Sequence, residues 1–291
     1  MEQWFYLCPV TYVRIIPRLD IKGPNLVKGI HLEGLRVLGK PEDFAAQYYE
    51  NGADELMFQD VVASLYERNS LHDIVSRVAR KIFIPLTVGG GIRTIEDIRR
   101  VLRAGADKVA INTAAVKNPE FIREAAMKFG SSTIVVAIET IRSTEGKFLA
   151  YTDNGREHTG LEVLEWAKQI EGLGAGEIIL TSVDNEGTGT GCDLELIHLI
   201  SSTINIPVVA HGGIGNPDHV IEAVKAGADA IALSSVLHYE LAAKLHEMNG
   251  SAKQEGNIEF LKSGRSFSKI IPASISAIKL KLLNESIPCR P

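Results

Sequence analysis

Three cysteines, Cys8, Cys192 and Cys289, are all that the chain of 291 residues holds. They are widely scattered and show no Cys-x-x-Cys or Cys/His ligand spacing, so the pattern argues against a disulfide framework and against a zinc site. No metal and no cofactor are expected, and a reducing, cytoplasmic setting is the simplest one. A net positive charge is lacking too. The formal net charge is −5, which leaves no basic footprint for nucleic acid. Long apolar runs are also missing: MEQWFYLCPVTYVRIIPR at the start has no basic lead, and Pro9 and Arg14 interrupt it before a signal-peptide core or a membrane span could form. Neither a nucleic-acid nor a membrane partner is expected.

What is present is enough for a large core, with 45% hydrophobic and 23% charged residues. Length alone does not demand two domains, because α/β barrels of about 250 residues are common as single units. Short β-branched runs at 12–18, 54–60, 84–88, 107–111, 133–138, 176–181, 206–210 and 228–233 read as strands. Between them stand helical patterns such as 41–52, 94–105, 118–130 and 216–227, most of them closed by Gly. Strands apolar on both faces and joined by helices imply a parallel sheet, and eight βα units imply closure: an α/β fold, the (β/α)8 TIM barrel. An internal repeat supports it. IPLTVGGGIRTIEDIRRVLRAGADKVAINTA (84–114) aligns without a gap on IPVVAHGGIGNPDHVIEAVKAGADAIALSSV (206–236), a constant offset of 122 residues. Less strictly, the strand that leads to Asp20 aligns with the strand that leads to Glu139. The expectation is one barrel domain over 1–291, built as a twofold repeat of half-barrels.

In such a barrel the chemistry sits where the loops after the strand ends converge. Two carboxylates at that mouth, Asp20 and Glu139, make a candidate acid/base pair on opposite walls. The glycine stretches VGGGI (88–92) and AHGGIG (210–215) leave strands where backbone N–H groups can approach an anion, and INTA (111–114) and LSSV (233–236) add hydroxyls beside them. Two related phosphate cradles suggest a ligand with a phosphate at each end. At the opposite end Arg14, Glu55, Lys108 and Glu177 each open an otherwise apolar strand, an expensive position unless they pair with one another. TIRSTEGKFLAYTDNGREHTG (140–160) predicts a β-hairpin overhanging the mouth. Trp166 reads as core, His31 and His72 as solvated, and the polar stretch 242–270 as a solvated insertion.

These stretches, RIIPRLDIKGPNLVKG, DVVAS, LTVGGGI, GADKVAINTAAVKNP, VVAIETIR, ILTSVDNEGTGTG and GGIGNPDH, closely resemble the cyclase subunit of imidazole glycerol phosphate synthase, over about residues 12–240 and again at the C-terminal SISAIKLKLLNESIPCRP. The resemblance implies a barrel that receives ammonia from a glutaminase partner in a heterodimer. The barrel would convert a bis-phosphorylated aminoimidazole carboxamide ribonucleotide into imidazole glycerol phosphate and the carboxamide ribotide. By motif match it makes Asp20 and Glu139 general acid and base. It gives substrate or phosphate contacts to Gly91, Asn112, Thr113, Thr181, Glu186, Gly187, His211, Gly213, Ser234 and Ser235. Lys28 matches a lysine on a flexible lid. Arg14, Glu55, Lys108 and Glu177 match an ammonia gate, whose bland alternative is an ion-pair plug, and Asp107 matches a residue facing the glutaminase.

The sequence also departs from that family. Glu139 stands where Asp is usual, one methylene longer and about 1 Å further out, a displacement that can cost about a hundredfold in rate. Glu186 likewise replaces an Asp, His211 replaces a small hydroxyl residue and reads equally as donor or filler, and KGPN replaces an acidic residue and glycine. Other readings therefore stand beside the cyclase: a paralogue conducting ammonia to a sugar amidotransferase for acetamidino sugars, the sister isomerase of the same pathway, and a non-enzymatic barrel that only docks a glutaminase.

Overall fold

A computed structural model describes residues 11–62, 71–249 and 269–291. The stretch 1–10, with Trp4 and Cys8, and most of 242–270 lie outside the described residues. Among those described, the strands are β1 (Arg14–Lys22), β2 (Asn25–Ile30), β3 (Glu33–Gly39), β4 (Leu56–Asp60), β5 (Leu86–Gly89), β6 (Lys108–Ile111), β7 (Ile134–Arg142), β8 (Phe148–Thr152), β9 (Glu157–Glu162), β10 (Glu177–Ser182), β11 (Val208–His211) and β12 (Ala230–Leu233). The helices are α1 (Pro41–Glu50), α2 (His72–Val78), α3 (Ile95–Arg103), α4 (Thr113–Lys117), α5 (Glu120–Phe129), α6 (Val163–Gly172), α7 (Leu194–Ser201), α8 (Pro217–Lys225), α9 (Ser235–Asn249) and α10 (Ile275–Asn284). None of the helices among the described residues is long and apolar enough to cross a membrane.

Strands β1, β4, β5, β6, β7, β10, β11 and β12 pair in parallel in that order, and β12 pairs back on β1. The result is the closed (β/α)8 barrel. Helix starts follow local chemistry. Thr94 opens α3 with a capping box closed by Asp97, and the Asn216 side chain accepts the N–H groups of Asp218 and His219 at the start of α8. Apolar side chains fall into two clusters: a large outer one between sheet and helices, which includes Trp166, and a small inner one of Ile16, Met57, Ala110, Val135, Ile179, Val209, Ala230 and Ala232 that lines the bore.

The repeat has a physical counterpart. Asp107 Oδ2 accepts the N–H of Leu86 at 2.8 Å, and Asp229 Oδ2 accepts the N–H of Val208 at 2.8 Å. The same two pairs are bonded a second time through their backbones, at 2.9 and 3.0 Å. Each AGAD segment therefore staples the start of one strand to the start of the strand before it. Asp54 does the same for Ile15, at 2.7 Å.

Two strands run further than their apolar runs predict. β1 continues to Lys22 and β7 to Arg142, because each extends into an antiparallel hairpin: β1 into β2–β3, and β7 into β8–β9. The second hairpin is the one predicted in 140–160. The first replaces what the sequence presents as an open loop. They leave the first and fifth barrel strands, equivalent places in the two halves.

Candidate active site

At the N-terminal end of the bore the four predicted charges form a closed ring. Arg14 donates to Glu55 at 2.6 Å and to Glu177 at 2.5 Å, and Lys108 donates to both carboxylates at 3.1 Å. Each cation touches both anions. Asp107 is exposed beside this ring, and its staple to Leu86 already gives it a structural task.

At the C-terminal end the strand alternation raises side chains into the bore. On β1 the inward positions are Arg14, Ile16, Arg18 and Asp20. A cavity of about 320 Å³ opens there. Its wall includes Arg18, Gln59 and Asp60, the turn Gly90–Arg93, Asn112 and Thr113, Lys117, Glu139, Asp153, Asn154 and Thr181. The first glycine cradle and Glu139 therefore share one cavity. Gly90 is required by conformation and by space: its φ is 98°, and a Cβ there would stand 2.4 Å from the carbonyl oxygen of Asp60. Gly212 repeats this, with φ 101° and a would-be Cβ 2.5 Å from the Ser182 oxygen.

Glu139 is half-buried in β7 and accepts the N–H of Gly155 from the overhanging hairpin at 2.8 Å. Burial pushes its carboxyl up to about 7, against the opposing pull of the Gly155 N–H, Arg18 and Asn112. It can hold or release a proton near neutrality. Asp20 lies differently. It is 1% exposed and accepts from Arg18 Nε at 3.1 Å and Lys28 Nζ at 3.4 Å. Burial works to raise its carboxyl, but Arg18 and Lys28 outweigh that and hold it below the usual range. Two carboxylates in one mouth are thus tuned in opposite directions.

The structure separates several residues that the sequence groups together. Asp20 is not part of the cavity wall that holds Glu139; Arg18 stands between them. Lys28 is not on an open lid. It sits in β2, 3% exposed, in ion pairs with Asp20 and Glu186. Glu186 is buried as well, and also accepts the N–H of Leu32 at 3.0 Å. This pairing draws the β2–β3 hairpin onto the loop after β10, where a Cβ on Gly187 would lie 2.7 Å from the Gly29 oxygen. The second cradle is covered from two sides, by this hairpin at Gly187 and by Ile271 at Gly215. Gly213, Ser234 and Ser235 are buried, Ser234 Oγ donates to the Arg18 oxygen at 2.9 Å, and Ile271 N–H donates to the Gly215 oxygen at 2.7 Å.

His211 meets Arg18 Nη1 at 3.1 Å and Thr181 Oγ1 at 3.3 Å. Arginine only donates, so Nδ1 accepts and the ring proton resides on Nε2. Burial, then Arg18 and Lys28, hold the ring well below its ordinary range and keep it neutral. Arg18 is the residue missed by the sequence reading. Its signal was the alternation of Arg14, Ile16, Arg18 and Asp20 along one strand, masked because Pro17 and Arg18 look like a strand end. No group of three His, Cys, Asp or Glu among the described residues is placed to hold a metal ion.

Over residues 14–242 the chain matches the family described as histidine biosynthesis protein. It is similar to the imidazole glycerol phosphate synthase subunit HisF of Legionella pneumophila, 59% identical over 206 residues, 71% of this chain and 97% of that one. The HisF subunit of Hydrogenobaculum sp. (strain Y04AAS1) is 51% identical over 228 residues, 78% of this chain and 90% of that one. That of Thermobifida fusca (strain YX) is 49% identical over 232 residues, 78% and 91% respectively.

Proposed function

Because this chain belongs to the histidine biosynthesis family, within it to the HisF cyclase subunits of imidazole glycerol phosphate synthase, we propose that its C-terminal cavity carries the reaction with Glu139 as proton donor and acceptor. The activity is that of a lyase. The bis-phosphorylated aminoimidazole carboxamide ribonucleotide reacts with ammonia, its chain is cleaved, and an imidazole ring closes to give imidazole glycerol phosphate and the carboxamide ribotide. Each step needs a proton moved next to an extended substrate, and a carboxyl near 7 is suited to both directions of transfer. That Glu139 shares a cavity with the Gly90–Gly91 cradle is the observation that carries this assignment.

One phosphate sits in our reading against Gly91, Asn112 and Thr113, with Arg93 and Lys117 adding charge at the rim. The other belongs to Gly187, Gly213, Ser234 and Ser235. Reaching it requires the covers at Gly187 and Gly215 to open, so Lys28 and Glu186, which hold the first of them, latch the mouth as well as border the substrate. Thr181 and His211 hold Arg18, and Asp20 is the anion that fixes Arg18 and Lys28. Ammonia reaches this chemistry from a glutaminase subunit seated on the face of Asp107, through the ring of Arg14, Glu55, Lys108 and Glu177 and along the bore. Apolar side chains there suit uncharged ammonia. The whole chain is read as one barrel domain, with 242–270 as its insertion.

The test is turnover of the bis-phosphorylated ribonucleotide by the isolated chain with an ammonium salt, followed as carboxamide ribotide formed. Turnover is expected, and Glu139→Gln should lower it by about 10²–10⁴-fold. A chain that binds the substrate but forms no product would overturn the cyclase reading in favour of an ammonia conduit.

A further inference from the structure

We propose that Arg18 is a specificity-determining residue, whose guanidinium bonds a carbonyl oxygen of the substrate beside Glu139. The inference rests on the reading of the preceding subsection and adds to it a residue that reads the reacting end rather than the phosphate.

The geometry begins with position. β1 is bonded to β12 and β4 in the sheet, not to β10 or β11. A side chain from β1 that reaches Thr181 on β10 and His211 on β11 has therefore crossed the bore. Arg18 does so between the apolar cluster below and the cavity above, and is 5% exposed. The bar is rigid. Nε donates to Asp20 at 3.1 Å, and Nη1 donates to Thr181 at 3.3 Å and to His211 at 3.1 Å. Two edges of a planar fork are thereby fixed by three partners on three strands.

The remaining nitrogen is the informative one. Nη2 makes no hydrogen bond to any described residue, while the Arg18 side chain lines the cavity that also holds Glu139. A guanidinium has five N–H donors and no acceptor, so what completes it must be an acceptor. The neighbours choose its type. Asp20 already balances the charge, which lessens the pull on a second full anion, and the glycine cradle that suits phosphate lies elsewhere along the cavity wall. A neutral carbonyl oxygen fits, and the substrate class offers one in its carboxamide. A pre-oriented fork loses little freedom on bonding it.

The experiment measures affinity of the full chain for two probes, aminoimidazole carboxamide ribotide and ribose 5-phosphate, which share a phosphorylated sugar and differ in the carboxamide. In the wild type the ribotide should bind the tighter. Arg18→Gln should weaken the ribotide by about tenfold or more and leave ribose 5-phosphate within about twofold. Arg18→Lys keeps the charge without the fork and should lose most of the same preference; it provides the reading if the glutamine variant fails to fold. An equal loss for both probes, or an unchanged ratio in a folded variant, overturns the assignment. If the wild type still turns over the bis-phosphorylated substrate in that case, the Arg18 assignment alone falls. If the wild type binds neither probe and forms no product, the cyclase reading falls with it.

Discussion

Glu139 owes its proton affinity to burial in β7, offset by the Gly155 N–H, Arg18 and Asn112. A carboxyl at about 7 in the folded chain and 4.5 when unfolded makes the folded state bind more protons across that window. Its contribution to stability is fully present below about 4.5 and is lost as pH rises toward about 7. Glu139→Gln should therefore flatten the pH dependence of stability between those values, as read by urea unfolding at a series of pH values. As general acid Glu139 should also give turnover that declines above about pH 7. Asp20 has the opposite sign: held low by Arg18 and Lys28, it contributes stability above the ordinary aspartate range and loses it on acidification. Both acids were legible in the sequence, since each follows an apolar run at a strand end. That Arg18 separates them was not, because an arginine after a proline looks like the close of a strand and only the barrel's curvature carries its side chain across.

At the scale of elements, the β2–β3 hairpin is held by a charge pair with almost no access to solvent. Lys28 is 3% and Glu186 1% exposed. Removing one partner of such a pair leaves an uncompensated buried charge, so Lys28→Met should cost about 3–5 kcal/mol. The double variant Lys28→Met with Glu186→Leu should recover most of that loss, a coupling that a denaturant double-mutant cycle measures directly. The staples make a separate prediction. Asp107→Ala and Asp229→Ala each remove one bond to a strand start, at equal 2.8 Å lengths, so each should cost about 1–2 kcal/mol and the two should add. Sequence reading located both AGAD segments but gave Asp107 a partner-facing role only. The hydrogen bond escaped it because a bond between residues 21 positions apart leaves no local periodicity. The β8–β9 hairpin was legible from its turn residues; the β2–β3 hairpin was not, because Leu32 and His31 take the turn at φ 62° and 52° without the usual glycine.

Taken whole, the molecule is a cylinder with a charged ring at one end, an arginine bar near the other and apolar side chains between. The eightfold architecture was readable because each βα unit announces itself by period and punctuation, and the offset of 122 residues joined the halves. Which parts of the mouth stay open could not be read, since cover comes from hairpins folding across strands distant in sequence. The bore itself is testable. Ala230→Phe places a ring inside this apolar bore, at about 1–3 kcal/mol of strain. With a glutaminase partner present, glutamine-driven turnover should fall while turnover fed by ammonium salt from the mouth persists, and parallel loss of both would contradict an axial route.

The backbone of Val13 donates to the Pro288 oxygen at 2.9 Å, and Val13 bridges Cys289. Stitched side by side in this way, the two segments turn the polypeptide into a near-loop. Removing that donor with Val13→Pro should therefore speed amide exchange in both segments together, whereas a change confined to one of them would show that they open independently.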